Sequence, residues 1–443
     1  MNLKISINGT KANPDLNLKK ALSYRWTIWG VMVFAFMISF FHRFSAAVVK
    51  DYVTAEFTMS STSFGAMTSM YFYAYMIMQI PVGLMADSLG ARIIVSVGMF
   101  LAGSGSIIFG LAPSPLWLYV GRFLVGLGVS TVFVSIMKVQ TQWFRANEFA
   151  TISGATTLVG NAGGAMSQGP LALLVSIISW RAGFLSIGIL TLIISALCWR
   201  FIRNRPQDIG LPPINRQQKA EERMSAEPFS VKEGIKAVLP AKGMLQTALF
   251  YLFNQAGCFA FISAWGIPWL ASVYEISVKE ASSYTVIVIL GMMAGGFANG
   301  WISDRLGSRK IPILAGSVSH AALWGLLVFW RGGIPPIGWL KILFFLLGLT
   351  NSIFVLAWSV AKELTPEKYT GLAISVLNTA SFLSIAILTS AMGWMLDLFA
   401  FLPPAGAYRM ALSLPLASAS FSLLSALLVP ETGEGLRKKS RSA

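Results

Sequence analysis

The sequence has little charge, less acid, and almost none of the side chains that build metal or catalytic centres. Only 12% of its 443 residues are charged, with 18 Asp and Glu against 34 Lys and Arg, and there are 2 His and 2 Cys. Ordinary soluble domains carry roughly 25% charged residues. Cys198 and Cys258 both fall in apolar runs, so no disulfide framework is available. There is no cluster of metal-ligating residues, no Gly-Lys-Ser/Thr phosphate loop and no nucleophile with a base at helical spacing, so nothing supports an enzyme and no cofactor is implied. Without an ATP site, any pumping must be secondary. The polar stretch from Met1 to Leu22 lacks the pattern of a cleavable signal and reads as a tail leading into the first helix. The longest polar stretch, of about forty residues, is too short for the output domain of a receptor.

What fills the sequence instead is hydrocarbon: 55% of residues are hydrophobic and the mean hydropathy is +0.66. A helical crossing needs about 20 mostly apolar residues. Twelve can be placed, near 26–49, 62–86, 91–111, 116–138, 149–178, 182–202, 243–272, 282–303, 311–330, 336–361, 370–396 and 405–429. The expectation is an all-α membrane protein in two six-helix bundles. Residues 1–25 form a tail, 26–202 the first bundle, 203–242 a linker, 243–429 the second bundle and 430–443 a closing tail. Within the linker, Phe229 to Leu239 has apolar residues at helical spacing and suits a short surface helix. Lys and Arg concentrate on the segments sharing a side with the two ends, so the positive-inside bias places both termini in the cytoplasm of a bacterial inner membrane. The net charge of +16 then needs no nucleic-acid partner.

The chain is doubled. Gly83 to Arg92 reads GLMADSLGAR, and Gly300 to Arg309 reads GWISDRLGSR, 217 residues later. At the same offset Gly121 meets Gly338, Gly154 meets Gly371 and Asn161 meets Asn378. Register held over about eighty residues argues for a parallel internal repeat. In each copy Gly83 or Gly300 lets the helix end approach a neighbour, Asp87 or Asp304 and Arg92 or Arg309 can pair with each other, with backbone amides or with the adjoining helix, and Gly90 or Gly307 permits a left-handed turn. These eight residues form a candidate conformational latch.

Polar side chains inside the spans are few and therefore informative. Arg43, preceded by His42, lies in the first span, where a cation is expensive unless it faces a cavity or a partner; the alternative is snorkelling to the interface. Tyr71, Tyr75 and Gln79 stack on one face of the second span. Arg122 lies in the fourth, Asn161 in the fifth, Asn254 and Gln255 in the seventh, Asn351 and Trp358 in the tenth and Asn378 in the eleventh. Together these are the candidate substrate-binding residues, although tyrosines also pack helices and asparagines also tie them together. The repeat partner of Arg43 is Ala260, so only the first half supplies a cation at this level. Gly169-Pro170 should kink or break the fifth span.

Two six-helix halves, the doubled GxxxDxxGxR turn and RxxxGxG from Arg122 to Gly128 resemble the major facilitator superfamily along essentially the whole chain. The resemblance implies alternating access around a cavity lined by spans one, four, seven and ten, with the repeated turn latching the cytoplasmic side. Arg43 followed by SFGAMTSMYFYAYMIMQIPVGLMADSLGAR is similar to the organic-anion branches, the anion:cation symporters and organophosphate antiporters. In those branches an Arg on the first helix contacts an anionic group. The resemblance further implies a carboxylate over a phosphate dianion, because the organophosphate antiporters also use a basic residue on the seventh helix and none stands near Ala260. It disfavours drug efflux, because the drug:proton antiporters carry a GP-GG motif and here Gly163-Gly164 precede Gly169-Pro170.

The expected function is secondary or facilitative transport of a small organic anion by a monomer in the bilayer. An amino-acid or dipeptide carrier, a multidrug or amphipath exporter and a non-transporting receptor are the alternatives. Every acidic residue falls in a tail, loop or span end, so a buried carboxylate for proton coupling is lacking. Transport is then uniport, exchange with a counter-solute, or proton coupling through His42 or the substrate itself.

Overall fold

A computed structural model describes residues 14–145, 147–214, 231–366 and 369–433, and among these there are only helices and turns. Span 1 is Pro14–Phe44, prolonged by a 3-10 turn at Ser45–Val49 and a short helix at Lys50–Phe57; it starts well before the expected first crossing near residue 26. Spans 2, 3 and 4 are Ser61–Ser88, Ala91–Gly110 and Pro115–Trp143. Span 5 comes in two pieces, Phe149–Met166 and Gly169–Ile178, and span 6 is Trp180–Phe201. Span 7 runs as Met244–Ala260, a π turn at Phe261–Trp265 and Gly266–Tyr274; spans 8 and 9 are Val278–Leu306 and Lys310–Phe329. Span 10 is Ile337–Asn351 and Val355–Leu364 about a 3-10 turn, span 11 is Thr370–Leu398 and span 12 is Pro404–Leu428. Ten stretches among the described residues are each long and apolar enough to cross a bilayer, and span 2 and the interrupted span 5 complete the twelve.

Two of the irregularities follow from proline. The break in span 5 lies at Ser167 and Gln168, just before Pro170, which takes the first turn of the next piece where its missing N–H is harmless. In span 7 Pro268 cannot bond back into the helix, and the turn before it widens so that the Gly266 N–H reaches Phe261 O, five residues behind. The linker helix is Val231–Val238, with Val238 packed into the core of the second bundle; residues 229 and 230 of the expected helix lie outside the described residues.

An even number of crossings puts both chain ends on one side, here the terminal side, opposite the far side. The buried core forks between them. One apolar cluster holds the far half of both bundles together, joining Phe44 to Phe259 and Phe64 to Trp265, each at 5.8 Å between ring centres. Towards the terminal side it gives way to two separate clusters, one drawn from spans 1 to 6 and the other from span 7, spans 9 to 12 and the linker helix. The bundles meet through spans 2 and 11 and through spans 5 and 8. The far side is thus closed, and the polar residues of the spans sit where the fork begins.

Candidate functional site

Arg43 closes the last turn of the span 1 helix and is only 7% exposed. Its guanidinium lies 4.4 Å from the ring centre of Phe40, one turn back, and 5.4 Å from those of Tyr75 on span 2 and Phe382 on span 11. Tyr75 and Phe382 stack on each other at 4.1 Å. An aromatic box built from three spans and both bundles therefore holds the cation, and each such contact contributes about 0.5–2 kcal/mol depending on desolvation. Its polar neighbours are the phenols of Tyr71, Tyr75 and Tyr251. Nε has no hydrogen-bond partner, and among the described residues no carboxylate pairs with Arg43. A buried cation without a counter-ion is costly, so the arrangement suits an anion that arrives from outside the protein.

The second bundle faces this cation with neutral polar groups. Tyr251 on span 7 donates to Asn378 Oδ1 at 2.9 Å and packs against Phe354 and Trp358 of span 10. The Gln255 and Trp358 side chains border the Tyr251 hydroxyl, and Gln255 Oε1 and Trp358 Nε1 are buried. Asn351 donates to the Asn254 carbonyl at 2.9 Å, tying span 10 to span 7, while both amide atoms of the Asn254 side chain remain unpaired.

His42 and Arg122, expected in the same site, lie behind the box within the first bundle. The His42 ring points to span 6, with Nε2 at 3.1 Å from Thr191 Oγ1 and 1% of the residue exposed. Arg122 donates from Nη1 to the His42 carbonyl at 2.9 Å and lies 5.1 Å from the Tyr71 ring, whose hydroxyl donates to Ser39 O. Successive residues of one helix project about 100° apart, which explains why His42 and Arg43 cannot share a neighbour. Gln79 is buried on the Tyr71–Tyr75 stripe, one turn closer to the terminal side. Asn161 is half-buried beside Gly160 and Gly163, which pack on Phe36 and the Met37 carbonyl of span 1.

The repeated turns differ in their surroundings. Arg309 donates to Asp304 Oδ1 at 2.6 Å and to Glu363 Oε1 at 3.2 Å, while its backbone N–H donates to Glu431 Oε1 at 2.8 Å. The Asp87 side chain lies outside the described residues. Arg92 instead donates from Nε to the Trp199 carbonyl at 2.9 Å, lies 4.7 Å over the Trp199 ring and has its backbone N–H capped by Asn204. Gly90 and Gly307 take positive φ, as a tight turn requires. Gly83 and Gly300 face open space, not a neighbouring helix: with the terminal halves apart, nothing packs on them.

Sequence reasoning overlooked the bonds that close the far side. Asp397, in the last turn of span 11, accepts the Ser61 and Thr62 amides of span 2 at 2.9 and 2.7 Å. Gln168, at the break in span 5, donates to Phe44 O and accepts from Thr285 of span 8 at 2.8 Å. Ser69 bonds Ala386 O and Ser390 across spans 2 and 11. A polar residue beside a helix break, as at Gln168, was the one available signal.

Comparison with known proteins agrees with this architecture. The "Probable sulfoacetate transporter SauU" of Cupriavidus necator is 24% identical over 82% of this chain and 85% of its own length. The "Hexuronate transporter" of Bacillus subtilis is 26% identical over 77% of this chain and 81% of its own. Among solved structures, a bacterial homologue of the human lysosomal transporter Spinster, in an inward-facing and unoccupied conformation, superposes with a TM-score of 0.74 at 17% identity, covering 92% of this chain and 96% of that one. The Major Facilitator Superfamily profile matches residues 32–389. With twelve crossings, a doubled turn and a core that forks between two bundles, the chain belongs to the Major Facilitator Superfamily and is an integral membrane transporter, not an enzyme.

Proposed function

We propose that this transporter carries a small organic acid across a bacterial inner membrane by alternating access, with Arg43 taking the carboxylate or an equivalent anionic group. The observation that carries the reading is the guanidinium itself: buried, clamped by three aromatic rings and lacking a carboxylate partner among the described residues. Tyr251, Gln255, Trp358 and Asn378 supply neutral hydrogen-bonding groups suited to the remainder of an oxygenated solute. An amino acid or dipeptide would also need an anion for its ammonium group, and none stands at the box among the described residues. The relatives named for sulfoacetate and hexuronate, both small acids, support the same class. The distribution of basic segments supports a cytoplasmic terminal side, which makes the conformation described open inward.

Counterflow into proteoliposomes tests this. Unlabelled internal hexuronate, sulfoacetate or aldonate is expected to drive uptake of the labelled acid, whereas neutral sugars, amino acids and dipeptides are not. Exchange of the neutral or zwitterionic solutes alone defeats the assignment.

A further inference from the structure

Among the described residues, the two copies of the repeated turn hold their arginines with different partners. Arg309 is met by Asp304 and Glu363 and its amide by Glu431. At Arg92 the corresponding amide is capped by the neutral Asn204, and the guanidinium is held by an indole and a carbonyl. Only Nε is bonded; neither terminal nitrogen of Arg92 has a partner among the described residues. A guanidinium fixed in place with two open donors is a receptor for a phosphate or carboxylate.

Trp199, which fixes that guanidinium, also closes one end of a groove of about 420 Å³ between spans 3 and 6. Small residues, Ser96, Ser195 and Ala196, form its floor, and Val97, Phe100, Leu192 and Trp199 its walls. The Ser195 hydroxyl donates inward to Ser96 O at 2.7 Å and is spent inside the protein. Val97, Phe100 and Trp199 are each at least half exposed, on helices that cross the bilayer. From Arg92 to Phe100 the helix rises about 12 Å, so the groove starts at the Arg92 end of span 3 and runs into the hydrocarbon. Exposed Arg200 at the same end of span 6 adds positive charge and disfavours a headgroup bearing an ammonium. The ligand that fits is anionic at one end and hydrocarbon along the rest.

We propose that Arg92, stacked on Trp199, binds the phosphate of an anionic phospholipid whose acyl chain fills the groove between spans 3 and 6. Arg309 is met by carboxylates of its own bundle, whereas the terminal nitrogens of Arg92 meet none among the described residues. This holds whatever solute is transported.

The test is thermal unfolding of the purified full chain in detergent with added phosphatidylglycerol, phosphatidylcholine of the same acyl chains, or inorganic phosphate, alongside native mass spectrometry of retained lipid. Phosphatidylglycerol is expected to raise the melting temperature at concentrations at least about tenfold lower than phosphatidylcholine. Arg92→Gln should abolish that preference, Arg92→Lys retain part of it, and Arg309→Gln leave it intact. Ala196→Phe, which fills the groove without touching the cation, should lower the phosphatidylglycerol retained, and it decides the matter if Arg92→Gln fails to fold. Equal stabilisation of wild type and Arg92→Gln, a shift with phosphate alone as large as with phosphatidylglycerol, or undiminished retention by Ala196→Phe would overturn the proposal.

Discussion

Asp397 accepts the backbone N–H of Ser61 at 2.9 Å, so the last turn of span 11 in one bundle caps the first turn of span 2 in the other. With the second bond to Thr62, this places a carboxylate at a helix N-terminus, where both the free amides and the helix dipole favour it. Such a cap is worth about 1 kcal/mol. Asp397→Ala should therefore loosen the far side by roughly fivefold in population, read as faster alkylation of a cysteine placed at the buried Met67 in the same background. An unchanged rate removes Asp397 from the gate.

Arg43→Gln should weaken solute affinity by roughly 10- to 150-fold, the range expected when a hydrogen-bonded charge partner is lost. Arg43→Lys keeps the charge but not the planar group that stacks on Phe40, so partial recovery is expected. Titration calorimetry against the exchanged acid checks both, and wild-type affinity in Arg43→Gln places the anion elsewhere.

His42 is bonded to Thr191 inside the first bundle and does not enter the aromatic box. His42→Gln is accordingly expected to lower the melting temperature while leaving the pH profile of solute exchange unmoved. A profile displaced by a full pH unit would show that the imidazole titrates during the cycle.

Gly126 lies against the Tyr71 carbonyl so closely that an added Cβ must displace backbone. Gly126→Ala should destabilise the protein by about 1–3 kcal/mol, as overpacking does, and should weaken solute binding as well because Tyr71 moves with Tyr75. Loss of stability with unaltered affinity would mean that the two tyrosines shift independently.

Beyond span 12, burial opposes ionisation of Glu431, but hydrogen bonds from Ser308 and from the Gly433, Arg309 and Lys310 amides prevail and hold its carboxyl below the ordinary value. A carboxyl depressed in the folded state contributes stability above its unfolded pKa and loses it as pH falls through the folded one. Wild type should thus melt higher than Glu431→Gln at pH 7, and the gap should narrow below about pH 4. A gap that does not change with pH would assign the effect to packing.

The architecture was legible because apolar run length and the doubled turn are properties of the chain alone. The site was legible only in part. Tyr71, Tyr75 and Gln79 share a helical stripe, and Arg43 stood out by its cost in a span, but nothing local joins Arg43 to Phe382, more than three hundred positions away. Phe382 does sit one turn beyond Asn378, and Tyr251 one turn before Gln255, so helical spacing from the asparagines and glutamine already singled out was the signal left unused. Placing Gly83 and Gly300 against neighbours presumed a single shape; these positions face space because this conformation keeps the terminal halves apart.

The forked core also makes temperature a control on the protein. Opening the far side would bare the rings that join Phe44 to Phe259 and Phe64 to Trp265, whereas closing the terminal side brings together a border that includes Gln79, Asn161 and Asn378. Exchanging an oily contact for a more polar one changes the heat capacity between the two states. Because apolar adhesion weakens on cooling, chilled membranes should hold a larger share of the molecules open to the far side than warm ones do.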